Sequence, residues 1–145
     1  MKTKNEDFVY SDERFADLQL LRYRVDGFAG LSLNKKKYIY YLAKATLAGR
    51  DITTDQYGKY NLDIRKVFEA ILLSEGAKKD RDNYEQAVVY LKRLWFSNGI
   101  YHHYGCEKFV PEFSEQWFRK CVKELRTCDQ LFAKYGGVEK FLNVI

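Results

Sequence analysis

Apolar residues recur at helical spacing along most of the chain, and short polar or glycine-containing stretches separate the runs. The first run predicts a helix that begins at Ser11, because a capping hydroxyl is followed there by two acids. Its apolar face would carry Phe15, Leu18 and Leu21. Asp26-Gly27 would then end the helix.

Two more helices are predicted before residue 76. The second begins at Ser32 or Asn34 and ends at Gly49, and its buried face would carry Tyr38, Leu42 and Ala45. Residues 50–60 are polar and predict a loop, with at most a short extended piece at 51–54. The third helix begins at Asn61, and its apolar face consists of Ile64, Phe68, Ile71 and Leu72.

Three helical segments are predicted in the second half. The fourth helix starts at a capping-box-like Asp82-x-x-Glu85 and ends at Asn98-Gly99. Its apolar face would carry Tyr84, Val88, Leu91 and Trp95. The fifth starts at Ser114, where Phe113 and Phe118 have the spacing of a hydrophobic staple. A short sixth helix follows Asp129, and helix resumes at 138–145 after two glycines.

These elements predict a mainly α fold, a compact bundle of about five to six helices with irregular loops and at most short strands. We detect no repeat and no linker, so residues 1–145 are expected to form a single helical domain or lobe fragment. The last five residues, 141–145, are mostly apolar. A domain seldom finishes that way unless its end is covered, so we expect the chain to be part of a larger structure.

Composition and charge narrow the class of protein. Aromatic residues make up 17% of the chain, an area that must be buried or face a partner. The net charge is +5, but the basic residues are scattered, so no nucleic-acid partner is expected. No apolar stretch has the roughly 18 residues of a membrane span, and the first residues contain no signal-like apolar segment. Three cysteines without a disulfide framework fit a reducing compartment, so we expect a cytoplasmic location and no membrane partner.

The segment SNGIYHHYGCEKF, residues 97–109, contains both histidines of the chain and one cysteine. His103-x-x-Cys106 has metal-ligand spacing, but zinc needs three or four converging ligands. His102 would point away from His103 on an extended segment, which disfavours a shared metal ion. The simpler interpretation is a pair of partly buried, hydrogen-bonded imidazoles.

The sequence gives little support for a nucleophilic catalytic site or for a phosphate-binding loop. A dyad of Cys106 and His103 is formally possible, but the residues are too close in sequence for a typical arrangement. Gly27-x-x-Gly30 lacks the Lys-Ser/Thr end of a phosphate-binding loop. Polar and aromatic residues after a helix stop are, however, typical of binding clefts.

Three stretches resemble the N-terminal part of bacterial dipeptidyl peptidase III. They are FADLQLLRYRVDGFAGLSLNKKKYIYYLAKATLAGRDI, DQYGKYNLDIRKVFEA and YLKRLWFSNGIYHHYGCEKFVPEFS. The resemblance runs from about Phe15 to about Phe118, and its most specific element is W-F-S-N-G-I-x-H-H-Y followed by K-F-V-P.

This resemblance implies a zinc exopeptidase that removes dipeptides from the N-termini of short peptides. Such enzymes have two lobes around a wide cleft, and a helical HExxGH motif and a downstream Glu hold the zinc. The present chain contains neither HExxGH nor HExxH. No metal ligand and no catalytic residue can therefore be assigned here, and no cofactor is expected in this chain. Zinc is the cofactor of the parent family.

Two hypotheses follow. The first is an N-terminal lobe segment of a dipeptidyl peptidase III-like enzyme, inactive alone, whose partners are the rest of the peptidase and short peptides. Six residues are then expected near the peptide cleft: Asn98, Gly99, His102, His103, Tyr104 and Lys108. The second is a stand-alone helical interaction module that self-associates, as a dimer for example, through exposed aromatics.

Overall fold

The computed structural model describes residues 8–145. Contacts between residues divide the chain after Arg50 into two compact units. The second unit comprises residues 51–145.

The first unit begins with a β-hairpin where a helix was predicted. Strand β1 (Ser11–Phe15) pairs antiparallel with β2 (Leu18–Leu21), and Phe15 lies opposite Leu18. Ala16 adopts a positive φ of 49°, so the chain reverses there instead of continuing as a helix. The helix prediction was wrong because residues three apart are neighbours across a two-residue turn as well as on a helix. A 3₁₀ turn at Phe28–Gly30 follows.

Helix α1 (Leu33–Ala48) has the predicted limits, with Ser32 at the N-cap position and Gly49 at the C-cap. The predicted buried face is wrong, since none of its residues is buried. Tyr38 is 69% exposed and Leu42 54%. The physical reason is visible in the sequence: apolar side chains are distributed around the helix instead of along one stripe.

Helix α2 (Arg50–Gln56) replaces the predicted loop. Its polar sequence gave no apolar period, but tertiary contacts hold its inner face. Thr54 is buried, and its hydroxyl accepts a hydrogen bond from Arg65 Nη1 at 2.9 Å. Arg65 also pairs with Asp51. A local pattern could not predict these contacts, because Arg65 lies on the following helix.

Helices α3 (Asn61–Leu73) and α4 (Arg81–Ser97) were both predicted, but α4 differs in its cap and its buried face. Asp80 is the N-cap and accepts a hydrogen bond from the backbone N–H of Asn83 at 3.3 Å. Trp95 is 44% exposed. The buried residues of α4 are Ala87, Tyr90, Leu91, Leu94 and Ser97. A 3₁₀ turn at Ala77–Lys79 precedes the helix.

Three helices complete the second unit: α5 (Glu115–Glu124), α6 (Asp129–Ala133) and α7 (Val138–Val144). The predicted start of α5 is confirmed, because Ser114 Oγ accepts a hydrogen bond from the N–H of Trp117 at 3.1 Å. The predicted staple is confirmed too, with the rings of Phe113 and Phe118 5.7 Å apart.

Phe68 lies at the centre of the core of the second unit. Its ring is 5.1 Å from the rings of Tyr90 and Phe118 and 5.5 Å from that of Phe113. Val67 and Val122 are fully buried beside this cluster. Each large apolar side chain contributes about 1.5–3 kcal/mol when removed from water, so this aromatic cluster is a main source of stability.

The predicted fold class is confirmed: the described residues are mainly helical, and their one sheet is the two-stranded hairpin. Membership of a lobe and the single-domain assignment stay predictions. In the part of the chain that the structure describes, the helices are too short or too polar to cross a membrane.

Candidate functional site at the end of helix α4

The segment after α4 begins with a tightly closed helix end. The helix ends at Asn98-Gly99 as predicted, and Asn98 adopts the left-handed conformation, with φ of 56°. The N–H of Gly99 then donates to the carbonyl of Leu94 at 3.1 Å. Ser97 and Gly99 are both buried. The chain therefore leaves the helix in one defined direction.

Asn61 fixes this direction from the neighbouring helix α3. It is 2% exposed, and its Oδ1 accepts a hydrogen bond from the N–H of Ile100 at 3.4 Å. A Cβ added to Gly99 would lie 2.2 Å from Asn61 Nδ2, and one added to Gly58 would lie 2.9 Å from it. Both glycines are required by close packing around one buried amide, a role for Asn61 that the helical pattern of the sequence does not predict.

Residues 100–109 form a short antiparallel ribbon. The N–H of His102 donates to the carbonyl of Glu107 at 2.9 Å, and that of Phe109 donates to Ile100 at 2.8 Å. Tyr101 and Lys108 form the bridge between these bonds. In such a non-hydrogen-bonded pair, the N–H and C=O of both residues point outward. Within residues 8–145, these groups make no hydrogen bond to another backbone group.

The two imidazoles are stacked on each other, with ring centroids 4.4 Å apart. The expectation that neighbouring side chains would point apart is therefore wrong, because the chain has turned by His103 and is no longer extended. Phe96 and Tyr104 pack on His103 at 4.9 and 4.3 Å. His102 Nδ1 accepts a hydrogen bond from the N–H of Tyr104 at 3.2 Å.

Among the described residues, one buried polar atom of the stack has no hydrogen-bond partner. His103 Nδ1 is buried and makes no hydrogen bond within the described residues. The predicted hydrogen-bonded imidazole is therefore found for His102. His103 is held by contacts with aromatic rings instead. Arg93 joins the cluster through a cation–π contact, with its guanidinium 4.4 Å from the ring centre of Phe109.

A metal site does not emerge from this geometry. Among residues 8–145, no group of three or more His, Cys, Asp or Glu side chains lies close enough together to hold an ion. Cys106 is exposed on the turn of the ribbon. The ligands that could join His103 and Cys106 in a tetrahedral zinc site are therefore not assembled here.

The other two cysteines lie in the core, not at the site. Cys121 and Cys128 are buried and free. Burial raises the pKa of the Cys121 thiol to about 11, and burial also raises the pKa of Cys128. Both thiols stay protonated at neutral pH, so they are poor nucleophiles and poor metal ligands.

The six residues predicted to lie near a cleft, all between positions 98 and 108, differ in exposure. Tyr104 is 91% exposed and Lys108 is exposed as well, whereas the two histidines are half-buried. Asn98 and Gly99 shape the backbone and offer little surface. The exposed part of the segment is therefore the turn around Tyr104 and the ribbon edge at Lys108.

An apolar groove of about 590 Å³ borders the ribbon. Its aromatic floor includes Phe68, Phe113 and Phe118, and Lys108 and Arg119 lie among its lining residues. The groove could not be predicted from the sequence, because its walls come from residues distant in sequence that share no motif. A second groove, about 660 Å³, lies beside α3 and α6 and has no aromatic lining.

Comparison with known proteins adds no family. The chain matches neither a protein-family model nor a curated protein.

Proposed function

We propose that this chain is the N-terminal lobe segment of a dipeptidyl peptidase III-like zinc peptidase, in which residues 97–109 line part of the peptide cleft. The zinc and its HExxGH helix would belong to another part of that enzyme. The chain alone is therefore expected to be inactive towards peptides. The resemblance of the W-F-S-N-G-I-x-H-H-Y and K-F-V-P elements is the origin of this proposal.

The proposal rests on the backbone structure of residues 97–109, a fixed turn followed by a ribbon with an exposed edge. A buried asparagine, two closely packed glycines and a left-handed residue fix the backbone where the segment begins, at residues 98–100. The ribbon they support has outward-pointing backbone groups at Tyr101 and Lys108. Such an edge can accept an extended peptide through main-chain hydrogen bonds. A rigid support below an exposed edge is what a cleft wall requires.

Hydrolysis of a dipeptidyl chromogenic substrate, with zinc added, tests the expected inactivity. The chain alone should give no turnover above a protein-free control, because its described residues assemble no metal site. Turnover that co-purifies with the chain and is lost on chelation would contradict the proposal. An in-frame continuation of the gene that reaches an HExxGH motif would support it independently of any assay.

Binding of a short peptide tests the cleft assignment. In an NMR titration with an unblocked tetra-alanine peptide, the amide signals of Tyr101, Tyr104 and Lys108 should shift. The amides of α5 and α7 should not. Shifts confined to other parts of the chain, or no saturable shift at millimolar peptide, would remove the ribbon from the cleft.

A second candidate function, self-association, rests on helix α1. Six of its large apolar residues are between 42% and 69% exposed: Tyr38, Ile39, Tyr40, Tyr41, Leu42 and Leu47. Association would cover this area. Light scattering over a wide concentration range tests it: a concentration-dependent dimer that Leu42→Glu abolishes would support it. Leu73→Glu, at another exposed leucine, is the matched control.

A further inference from the structure

We propose that the groove beside the ribbon binds a small apolar carboxylic acid, with the apolar group on the aromatic floor and the carboxylate at Lys108 and Arg119. This site adjoins the proposed peptide cleft, with which it shares Tyr101 and Lys108, and it uses only residues of the second unit. It stands or falls independently of the peptidase assignment, because neither zinc nor any other chain takes part.

The size and lining of the groove fit a small molecule. Its volume of about 590 Å³ lies within the 300–1,000 Å³ typical of ligand pockets. The floor is aromatic and aliphatic, and it includes Phe68, Phe113 and Leu142. These side chains also belong to the core, so the floor is held in place by packing behind it. A preformed apolar cavity with few polar groups is the usual form of such sites.

The charged side chains around the groove favour a ligand whose polar group is an anion. Lys108 is exposed and makes no ion pair within residues 8–145. Arg119 Nε pairs with Glu115 Oε1 at 2.7 Å. This contact leaves the terminal guanidinium nitrogens available as donors. Among the side chains that line the groove, Lys108 and Arg119 are cations and Glu115, already paired with Arg119, is an acid, so these side chains carry a net positive charge. An anion is favoured there, and a carboxylate forms charge-assisted hydrogen bonds with both kinds of cation.

A neutral apolar ligand or a cation fits less well. A neutral ligand would pack on the apolar floor, but it would leave the Lys108 ammonium group next to an apolar molecule without a counter-ion. A cation would face a rim of its own sign. Tyr101 also lines the groove, and a tyrosine hydroxyl can donate a further hydrogen bond to an anion. A monocarboxylate with one bulky apolar group therefore satisfies both the floor and the rim.

The test uses 4-phenylbutyrate as the probe and isothermal titration calorimetry or NMR as the readout. We expect saturable binding in the sub-millimolar to millimolar range, and at least tenfold weaker binding of 4-phenylbutanamide, which has the same size without the charge. Methyl signals of Ile64 and Leu142 should shift. Equal affinities for the acid and the amide, or shifts confined to other residues, would overturn the proposal.

Variants separate the rim from the floor. Lys108→Gln should weaken binding of the acid about fivefold or more and leave the amide unchanged. Lys120→Gln, which removes an exposed cation next to Arg119 outside the groove, should change neither affinity. Val144→Trp places a large ring at an exposed wall position and should block both ligands. Undiminished binding of the acid by Lys108→Gln, or by Val144→Trp with an intact circular dichroism spectrum, would contradict the site.

Discussion

Helices α1 and α3 are of similar length and both are rich in apolar residues, yet they differ completely in burial. In α3, Val67, Phe68 and Ile71 are at most 4% exposed. In α1, no residue is buried. The difference lies in the arrangement of apolar residues: α3 concentrates them on one stripe, whereas α1 distributes them around its circumference. A stripe can be covered by one neighbour, but a helix that is apolar on all sides needs several.

The largest expected effect follows from this difference. Phe68→Ala should lower the free energy of unfolding by about 3–5 kcal/mol, because it opens a cavity between Tyr90, Phe113 and Phe118. Tyr41→Ala, which truncates a side chain that is 68% exposed on α1, should change it by less than about 0.5 kcal/mol. Urea unfolding followed by tryptophan fluorescence measures both. Similar values for the two variants would contradict the comparison.

Glycines of the two units should also respond differently. Gly99→Ala should destabilise the chain by about 1–3 kcal/mol, because the new methyl group collides with the buried Asn61 amide. Gly30→Ala meets no atom within 4 Å and should be nearly neutral. The double variant Asn61→Ala, Gly99→Ala should lose less than the sum of its parts, since the collision disappears. Additive losses in thermal unfolding would show that Asn61 does not support the segment.

The pH dependence of stability tests the core of the second unit. Burial raises the pKa of Tyr90 to about 12, and an unfolded tyrosine titrates near 10. Between these values the unfolded state loses its proton first, so stability is intact below about pH 10 and falls as pH rises toward 12. The Tyr90 contribution amounts to about 1 kcal/mol between pH 10 and 11. Tyr90→Phe should flatten the stability curve in this range, and an unchanged slope would refute the assignment.

The smallest effect compares two serines at helix starts. Ser114→Ala should cost about 0.5–1 kcal/mol, because its hydroxyl accepts the N–H of Trp117. Ser32 occupies the same position on α1, but its side chain makes no capping hydrogen bond. Ser32→Ala should therefore be close to neutral. Equal losses for the two variants in urea unfolding would show that the α1 cap is formed in solution.

The fold could be predicted where the apolar stripe and the stop residues agree. The limits of α1 and α3, the stop at Asn98-Gly99 and the start of α5 at Ser114 all follow from local chemistry. The hairpin at 11–21 was missed because i, i+3 spacing also arises across a two-residue turn. Helix α2 was missed because the contact that holds it comes from Arg65 on the next helix.

The site could be predicted only in part. The pattern after α4 singles out residues 97–109, and residues 100–109 of this segment form the ribbon. The stacking of His102 and His103 depends on a turn of the backbone that side-chain alternation does not contain. The role of Asn61 and the groove with its cationic rim depend on residues brought together only by folding.

Residues 51–145 form a core of their own, whereas none of the residues of α1 is buried. Hydrogen exchange of the isolated chain, resolved by residue with NMR, measures this difference. The amides of α3 and α4 should then exchange only through global unfolding. The amides of α1 should exchange by local opening, at least a hundredfold faster. Equal protection of α1 and α3 in a monomeric sample would contradict the account.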